Sequence, residues 1–407
     1  MAGKQVLLLG LGEQGRAALW DLSRDPSIET LRICDPSPET AEVASRYGGG
    51  KETILPLSAE DPEGLLREME RADGVLETLP GRFALPVARL AARAGVPTVS
   101  TMYLADPGER DPQRRLAQQE ELIALDEEAR RSGAILLPEC GMDPGLDLVL
   151  CKEALRGFET VESLVSYGAG FPEAAAADNP LGYRFTWSIP GVMRSYLRPA
   201  LVIRGGKACP IPAEAVFAPE NTHLLHIPEM EGPLECFPNG DVRPFLERFA
   251  LEGVREFGRY VCRWPGHCAF WSVLARCGFL DDSPVRTPSG PVVPQEFCAA
   301  VLGRRGEFRY GAGQRDVALV RVEVQGRIAG QPRRRVLQLV DRRDLASGFT
   351  AMQRTVGFTA ALGLRFLLKG TLPPGLHHPE ELPFEPFAQA LRNRGMEIAR
   401  SETPAGV

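Results

Sequence analysis

The chain has 407 residues, of which 44% are hydrophobic and 25% charged, enough apolar material for two domain cores and too much for a disordered or collagenous chain. Lys and Arg number 47 against 53 Asp and Glu, a net charge of −6, so no basic surplus exists to neutralise a nucleic-acid backbone. Nine cysteines lie singly with no Cys-x-x-Cys pair, the pattern of reduced thiols in a cytoplasm rather than of a disulfide framework or a metal centre.

Residues 5–9 read as a short buried strand, followed by a glycine-rich turn and a helix over 13–22. A strand over 30–34 and a helix over 38–47 come next, then strands at 54–57 and 74–79 with a helix at 60–71 between them. A helix over 83–94, a strand at 98–100, a charged helix over 112–132 and a strand at 134–138 complete the first 140 residues. Continuous apolar strands separated by helices describe a parallel sheet covered on both faces. The opening apolar run, Val6 to Leu9, is too short for a signal peptide, and no run nears the ~20 residues of a membrane span. A cytoplasmic protein without a membrane partner is expected.

Beyond Gly145 the rhythm changes. Strand-like runs gather at 163–167, 201–204, 234–237, 260–263, 317–324 and 335–340, as in an α+β domain on a mixed or antiparallel sheet. An apolar helix over 350–368 and a proline-rich tail over 373–386 follow. The helix is too apolar to stand in solvent and is expected to dock back on the first domain. The expected division is 1–140, 141–345 and 346–407.

The first candidate site is Gly10-Leu11-Gly12-Glu13-Gln14-Gly15, a Gly-x-Gly-x-x-Gly between a strand and a helix. Gly10 allows the tight turn, Gly12 lets backbone approach a pyrophosphate, and Gly15 lets helix and strand pack closely. The helix start then offers free N–H groups to the phosphates. Asp35, twenty residues past Gly15, is placed to accept from an adenosine ribose, or serves only as a turn-former. Its carboxylate would repel a 2′-phosphate and Pro36-Ser37-Pro38 brings no Arg, so NAD is favoured, with NADP possible. Leu79, at the end of its strand run, is counted with this cofactor set.

Further candidates follow in chain order. Asp143, in Gly141-Met142-Asp143-Pro144-Gly145, lies where a parallel sheet binds ligands, and either meets a nicotinamide or caps the next helix. Cys140 beside it is a buried structural thiol or a nucleophile toward an aldehyde. The stretch Asn179-Pro180-Leu181-Gly182-Tyr183-Arg184-Phe185-Thr186-Trp187-Ser188 suits a pocket lining or a plain core. Arg263, ending a strand before Trp264-Pro265-Gly266, would clamp a carboxylate, and His267 is a proton carrier or a helix-start histidine.

These motifs, with Ser100-Thr101-Met102-Tyr103 and Thr350-Ala351-Met352-Gln353-Arg354-Thr355-Val356-Gly357, resemble the saccharopine dehydrogenase family, which includes lysine 6-dehydrogenases, over nearly the whole length. The resemblance implies an α/β fold: an N-terminal Rossmann doubly wound parallel sheet plus an α+β catalytic domain. It implies a homodimer and an NAD(P)-dependent oxidoreductase acting on the CH–NH group of a lysine-type amino acid. By the same likeness Thr101, Tyr103, Asn179 and Arg263 would meet substrate, and Asp143 and Tyr167 the nicotinamide. Asp143, His267 or a water would take the amine proton, with Tyr103 orienting the substrate.

One departure stands out. Gly240 replaces the Arg that saccharopine reductases carry after Pro238-Asn239, while Arg198–Gly206 and His267 look more like lysine 6-dehydrogenases. Free lysine is therefore an alternative substrate to saccharopine. Rival readings are a semialdehyde dehydrogenase using Cys140 and a nucleotide-sensing protein without catalysis.

Overall fold

A computed structural model describes residues 3–109 and 111–405. The chain forms two compact units: the stretch up to Val149 joined by Gln353–Met396, and Leu150–Met352 joined by the segment from Glu397. The first division falls inside the buried helix Leu146–Leu155 rather than at residue 140.

The sheet of the first unit holds β1 (Lys4–Leu9), β2 (Ile28–Cys34), β3 (Glu52–Leu55), β4 (Gly74–Glu77), β5 (Thr98–Ser100), β6 (Ile135–Leu137) and the late β17 (Gly375–Leu376). All pair in parallel, in the order β17-β6-β5-β4-β1-β2-β3. The last four residues of β1 are buried, as a strand covered on both faces requires. Strand order reverses at β1, so the loops leaving β1 and β4 part there and open a crevice at the carboxyl ends.

The expected helix over 350–368 is interrupted. Ala351–Gln353 passes into a π-helical turn, Arg354–Phe358, before Thr359–Leu368 resumes the α form. At this turn Gly357 lies against the helix Glu13–Ser23; a Cβ there would come within 2.7 Å of the Ala17 Cβ, so only glycine permits the approach. Phe358 stacks on Trp20 with ring centroids 5.6 Å apart.

The second unit is built on a mixed sheet of β7 (Thr160–Pro172), β8 (Ala200–Arg204), β9 (Lys207–Ile211), β10 (His223–Leu225), β11 (Leu234–Pro238), β12 (Glu256–Arg263), β15 (Asp316–Ile328), β16 (Gln331–Arg342) and β18 (Ile398–Pro404). Its main order is β10-β11-β12-β7-β15-β16-β18, with β7 and β12 parallel and the other neighbours antiparallel; β8 joins β12 to β9. A small hairpin, β13 (Val285–Thr287) with β14 (Gly290–Val292), stands apart. An aromatic core gathers Tyr183, Phe185, Tyr196, Phe217, Phe237 and Trp271.

The expected 346–407 segment divides between the units. Gln353–Met396 joins the first, whereas β18 runs along β16 in the second, held by Arg335 to Glu402 (2.7 Å) and Arg400 to Glu153 (3.0 Å). Its alternating, largely exposed side chains hide it from a search for apolar strands.

Arg394 fixes the returned segment to the first unit. Its guanidinium donates to both carboxylate oxygens of Asp21, at 2.7 and 2.8 Å; Asp21 is buried and the Arg394 side chain only 10% exposed. Removing one partner leaves a buried charge uncompensated. Asp21→Ala should therefore lower unfolding stability by about 3–5 kcal/mol in denaturant titrations. A loss below about 1 kcal/mol would mean this pair does not hold the segment.

Candidate functional site

The glycine turn of the first unit has the form that a dinucleotide needs. Gly10 sits at φ +85°, and a Cβ on Gly15 would come 2.3 Å from the Gly10 carbonyl oxygen. A Cβ on Gly12 would meet nothing within 4 Å, which leaves room for a ligand to approach the backbone. No side chain caps the helix start at Gly12, and the Gln14 Oε1 is buried without a partner. Glu13 is held by Gln353 Nε2 (2.7 Å) and Arg16 (3.4 Å). Leu11 is buried, and its N–H donates to Asp35 Oδ2 at 2.7 Å.

Asp35 is more than a waiting ribose acceptor. Besides Leu11, its carboxylate accepts from Ser37 N (2.8 Å) and Thr40 Oγ1 (3.3 Å), which ties the end of β2 to the glycine turn. Three of roughly four acceptor positions are used, so one remains for a ligand hydroxyl. These residues fit a nicotinamide dinucleotide.

The loops after β4, β5 and β6 carry the next group. Thr101 and Tyr103 are half-buried in the loop after β5, and Asp143 is half-buried in the turn after β6. Asp147 closes that turn, accepting from Gly145 N at 2.8 Å. Leu79 lies over the glycine turn, its Cδ2 3.0 Å from where a Gly10 Cβ would stand.

Glu77, absent from the sequence reading, is wholly buried at the end of β4. Burial pushes its carboxyl up to about 7, against the pull of hydrogen bonds from Ser100 and Leu79. An acid in the otherwise apolar run 74–77 was the signal available.

Cys140 is fully buried, with its Sγ 3.7 Å from the Thr359 carbonyl. Burial pushes its thiol up to about 12. No cation helps to ionise it, so the nucleophile reading loses its thiolate.

In the second unit Arg263 ends β12 inside the aromatic core. Its guanidinium donates to the Cys262 carbonyl (2.8 Å) and the Tyr183 hydroxyl (3.4 Å) and lies 4.8 Å from the Tyr183 ring centroid. Among the described residues no carboxylate pairs with it, and its Nε is buried without a partner. Glu235, opposite it on β11, accepts instead from Cys268 N at 2.9 Å. The hydroxyls of Thr186 and Tyr310 are also buried and unpartnered, and the Arg263 charge acts on Tyr310.

His267 opens the next helix, buried among the Tyr183, Tyr196, Phe237 and Trp271 rings, with Nε2 2.9 Å from the Tyr196 hydroxyl. Desolvation, and then the Arg263 charge, hold its imidazole well below the ordinary range. It is neutral at pH 7.

Two further candidates have polar partners within the second unit. Both ends of the Asn179 amide are engaged: Nδ2 donates to the Tyr183 carbonyl in its own loop (2.9 Å) and to the distant Glu307 carbonyl (3.0 Å), and Oδ1 accepts from Leu181 and Tyr183 N–H groups. The amide thus braces the turn on which Asn179 stands. The Tyr167 hydroxyl is 3.1 Å from His223 Nε2, and its ring lies beside that of Tyr260.

Two family models match the chain: the saccharopine dehydrogenase NADP binding domain over residues 6–137, and the saccharopine dehydrogenase C-terminal domain over 141–396. The chain belongs to the saccharopine dehydrogenase family. It is 27% identical over 288 residues to the NADP(+), L-glutamate-forming saccharopine dehydrogenase of Pyricularia oryzae, covering 69% of this chain and 59% of that protein. To the mitochondrial alpha-aminoadipic semialdehyde synthase of Bos taurus it is 24% identical, across 98% of this chain and 48% of that protein. The chain thus spans about half the length of these curated relatives. The apo saccharopine dehydrogenase (L-Glu forming) of Saccharomyces cerevisiae shares the fold, with a TM-score of 0.80 at 23% identity over 98% of this chain and 100% of that one.

The matched first domain of this saccharopine dehydrogenase family member is an NADP-binding one, so NAD as the main cofactor gains no support from the family. Gly240 sits at φ +74° in a turn where its carbonyl accepts from Leu201 N (3.0 Å), a conformation that suits glycine. Among the described residues no helix is long and apolar enough to cross a membrane, and no group of side chains is arranged to hold a metal ion.

The burial of Cys140 has a direct check. Iodoacetamide at about pH 8 should alkylate exposed Cys277 and leave Cys140 unmodified in the folded protein, as read by peptide mass spectrometry. Labelling of Cys140 as fast as Cys277 would restore the thiol-nucleophile reading.

Proposed function

We propose that this chain is a nicotinamide-dependent oxidoreductase acting on the C–N bond of a lysine-type amino acid, with saccharopine the first candidate substrate. One observation carries the reading: Arg263 is a buried guanidinium with no carboxylate partner among the described residues and an unsatisfied Nε. A cation kept in such a place is costly unless an anion completes it. An amino-acid carboxylate supplies that charge and accepts two parallel N–H bonds.

The remaining roles follow from charge and exposure. Neutral His267 adds no second positive charge beside Arg263, and its aromatic surroundings exclude water from the pair. The hydroxyls of Thr186 and Tyr310 are available to hold the substrate's polar groups. Asp143, in its half-buried turn, is the base assigned to take the amine proton, with Thr101 and Tyr103 orienting the reacting carbon. When bound, the nicotinamide accepts or returns the hydride. The imine formed on oxidation is hydrolysed by water.

Two finer readings each have an observation behind them. Free lysine as substrate is favoured by Gly240, which leaves one guanidinium fewer for saccharopine's carboxylates. NAD is favoured by Asp35 at the end of β2 and by the absence of Lys or Arg from residues 36–45, whereas the relatives' names favour NADP. A screen at the reduced-nicotinamide absorbance band with saccharopine, lysine, ornithine and diaminopimelate, each with NAD and NADP, tests all three. Turnover is expected with saccharopine or lysine. No reduced nicotinamide from either would contradict the proposal, and faster turnover with NADP would set the Asp35 reading aside.

A further inference from the structure

Among the described residues no cation pairs with Glu77. It ends a strand of Gly74, Val75 and Leu76, where an apolar residue would pack without cost. Its carboxyl instead accepts from Leu79 N at 2.6 Å and from the Ser100 hydroxyl. Ser100 Oγ in turn accepts from Met102 N at 3.1 Å. One buried carboxyl group therefore joins the loop leaving β4 to the loop leaving β5.

Both loops bear on the glycine turn or on the candidate residues beside it. Thr78, between Glu77 and Leu79, donates its hydroxyl to the Gly10 carbonyl at 2.9 Å, and the Leu79 side chain lies over Gly10. The second loop carries Thr101, whose N–H donates to the Glu77 carbonyl (3.3 Å), and Tyr103. In a parallel sheet these carboxyl-end loops border the crevice in which a dinucleotide lies.

We infer that Glu77 is a positioning residue for the nicotinamide cofactor: through the Leu79 amide and through Ser100 it sets the two loops that border the glycine turn. The inference rests on the dinucleotide reading of that turn. Glutamine at this position keeps a carbonyl acceptor and the volume, whereas alanine removes both links and leaves Leu79 N and the Ser100 hydroxyl unpaired.

The test is a fluorescence titration of the full-length protein with NADH and with NADPH, alongside its thermal midpoint. For whichever is bound more tightly, Glu77→Ala should raise Kd about tenfold or more, while Glu77→Gln stays within about threefold of the wild type. Ser100→Ala, which cuts only the link to the second loop, should fall between them, and it decides the matter if Glu77→Ala does not fold. Unchanged Kd in the folded variants, with a lowered thermal midpoint alone, would reduce Glu77 to a structural role and overturn the inference. Failure of the wild type to bind either dinucleotide would instead remove the cofactor reading and this inference with it.

Discussion

The second unit encloses a positive charge with no opposite charge paired to it among the described residues. Arg263 ends β12 among Tyr183, Tyr196 and His267, where it meets a carbonyl, a hydroxyl and an aromatic face. Those neutral groups orient a guanidinium but do not cancel its charge, and at low effective dielectric the deficit is large. The surroundings respond to it: His267 is kept neutral by burial and by the arginine itself. Arg184, by comparison, is a buried arginine with every need met, since it donates to three backbone carbonyls and pairs with Asp178. Arg184 is built into the fold, whereas Arg263 has no carboxylate partner among the described residues, and on the proposed function a substrate carboxylate supplies it.

In the first unit the governing constraint is backbone approach. Gly10, Gly12 and Gly15 let the chain turn, stay open and pack, and Asp35 bonds the Leu11 amide inside that turn. Gly357 gives the same freedom against Gln14, Ala17 and Ala18 of the helix Glu13–Ser23, where the returned segment packs within touching distance. At Gly10, Gly15 and Gly357 a side chain would crowd a neighbouring atom, whereas Gly12 leaves open space beside the backbone. The family match over 6–137 belongs to the same residues.

Much of this was legible in the sequence, for stated reasons. The strands of the first unit are continuous apolar runs, and the glycine spacing marks the turn, so the parallel sheet and its nucleotide end could be read directly. The second sheet was read only at its most apolar stretches: β15 and β16 extend to 13 and 12 residues because polar side chains such as Arg321, Glu323 and Arg334 pair across one face. β18 is polar and exposed, so it left no apolar signal. The bonds from Asn179 to Glu307 and from Tyr167 to His223 join residues remote in sequence, so they left no local signal. Glu77 was passed over for the same reason, its partner Ser100 lying on the next strand.

The most direct measurement of the central claim is kcat/KM for the amino acid at saturating cofactor in Arg263→Lys and Arg263→Ala, with cofactor Kd measured in parallel. Lysine keeps the charge but loses the planar two-point geometry, so it should already impair the enzyme. Alanine should remove about 2–4 kcal/mol of transition-state binding, roughly 30- to 1000-fold in kcat/KM, with cofactor Kd nearly unchanged. A folded Arg263→Ala variant whose kcat/KM stays within about threefold of wild type would contradict the account.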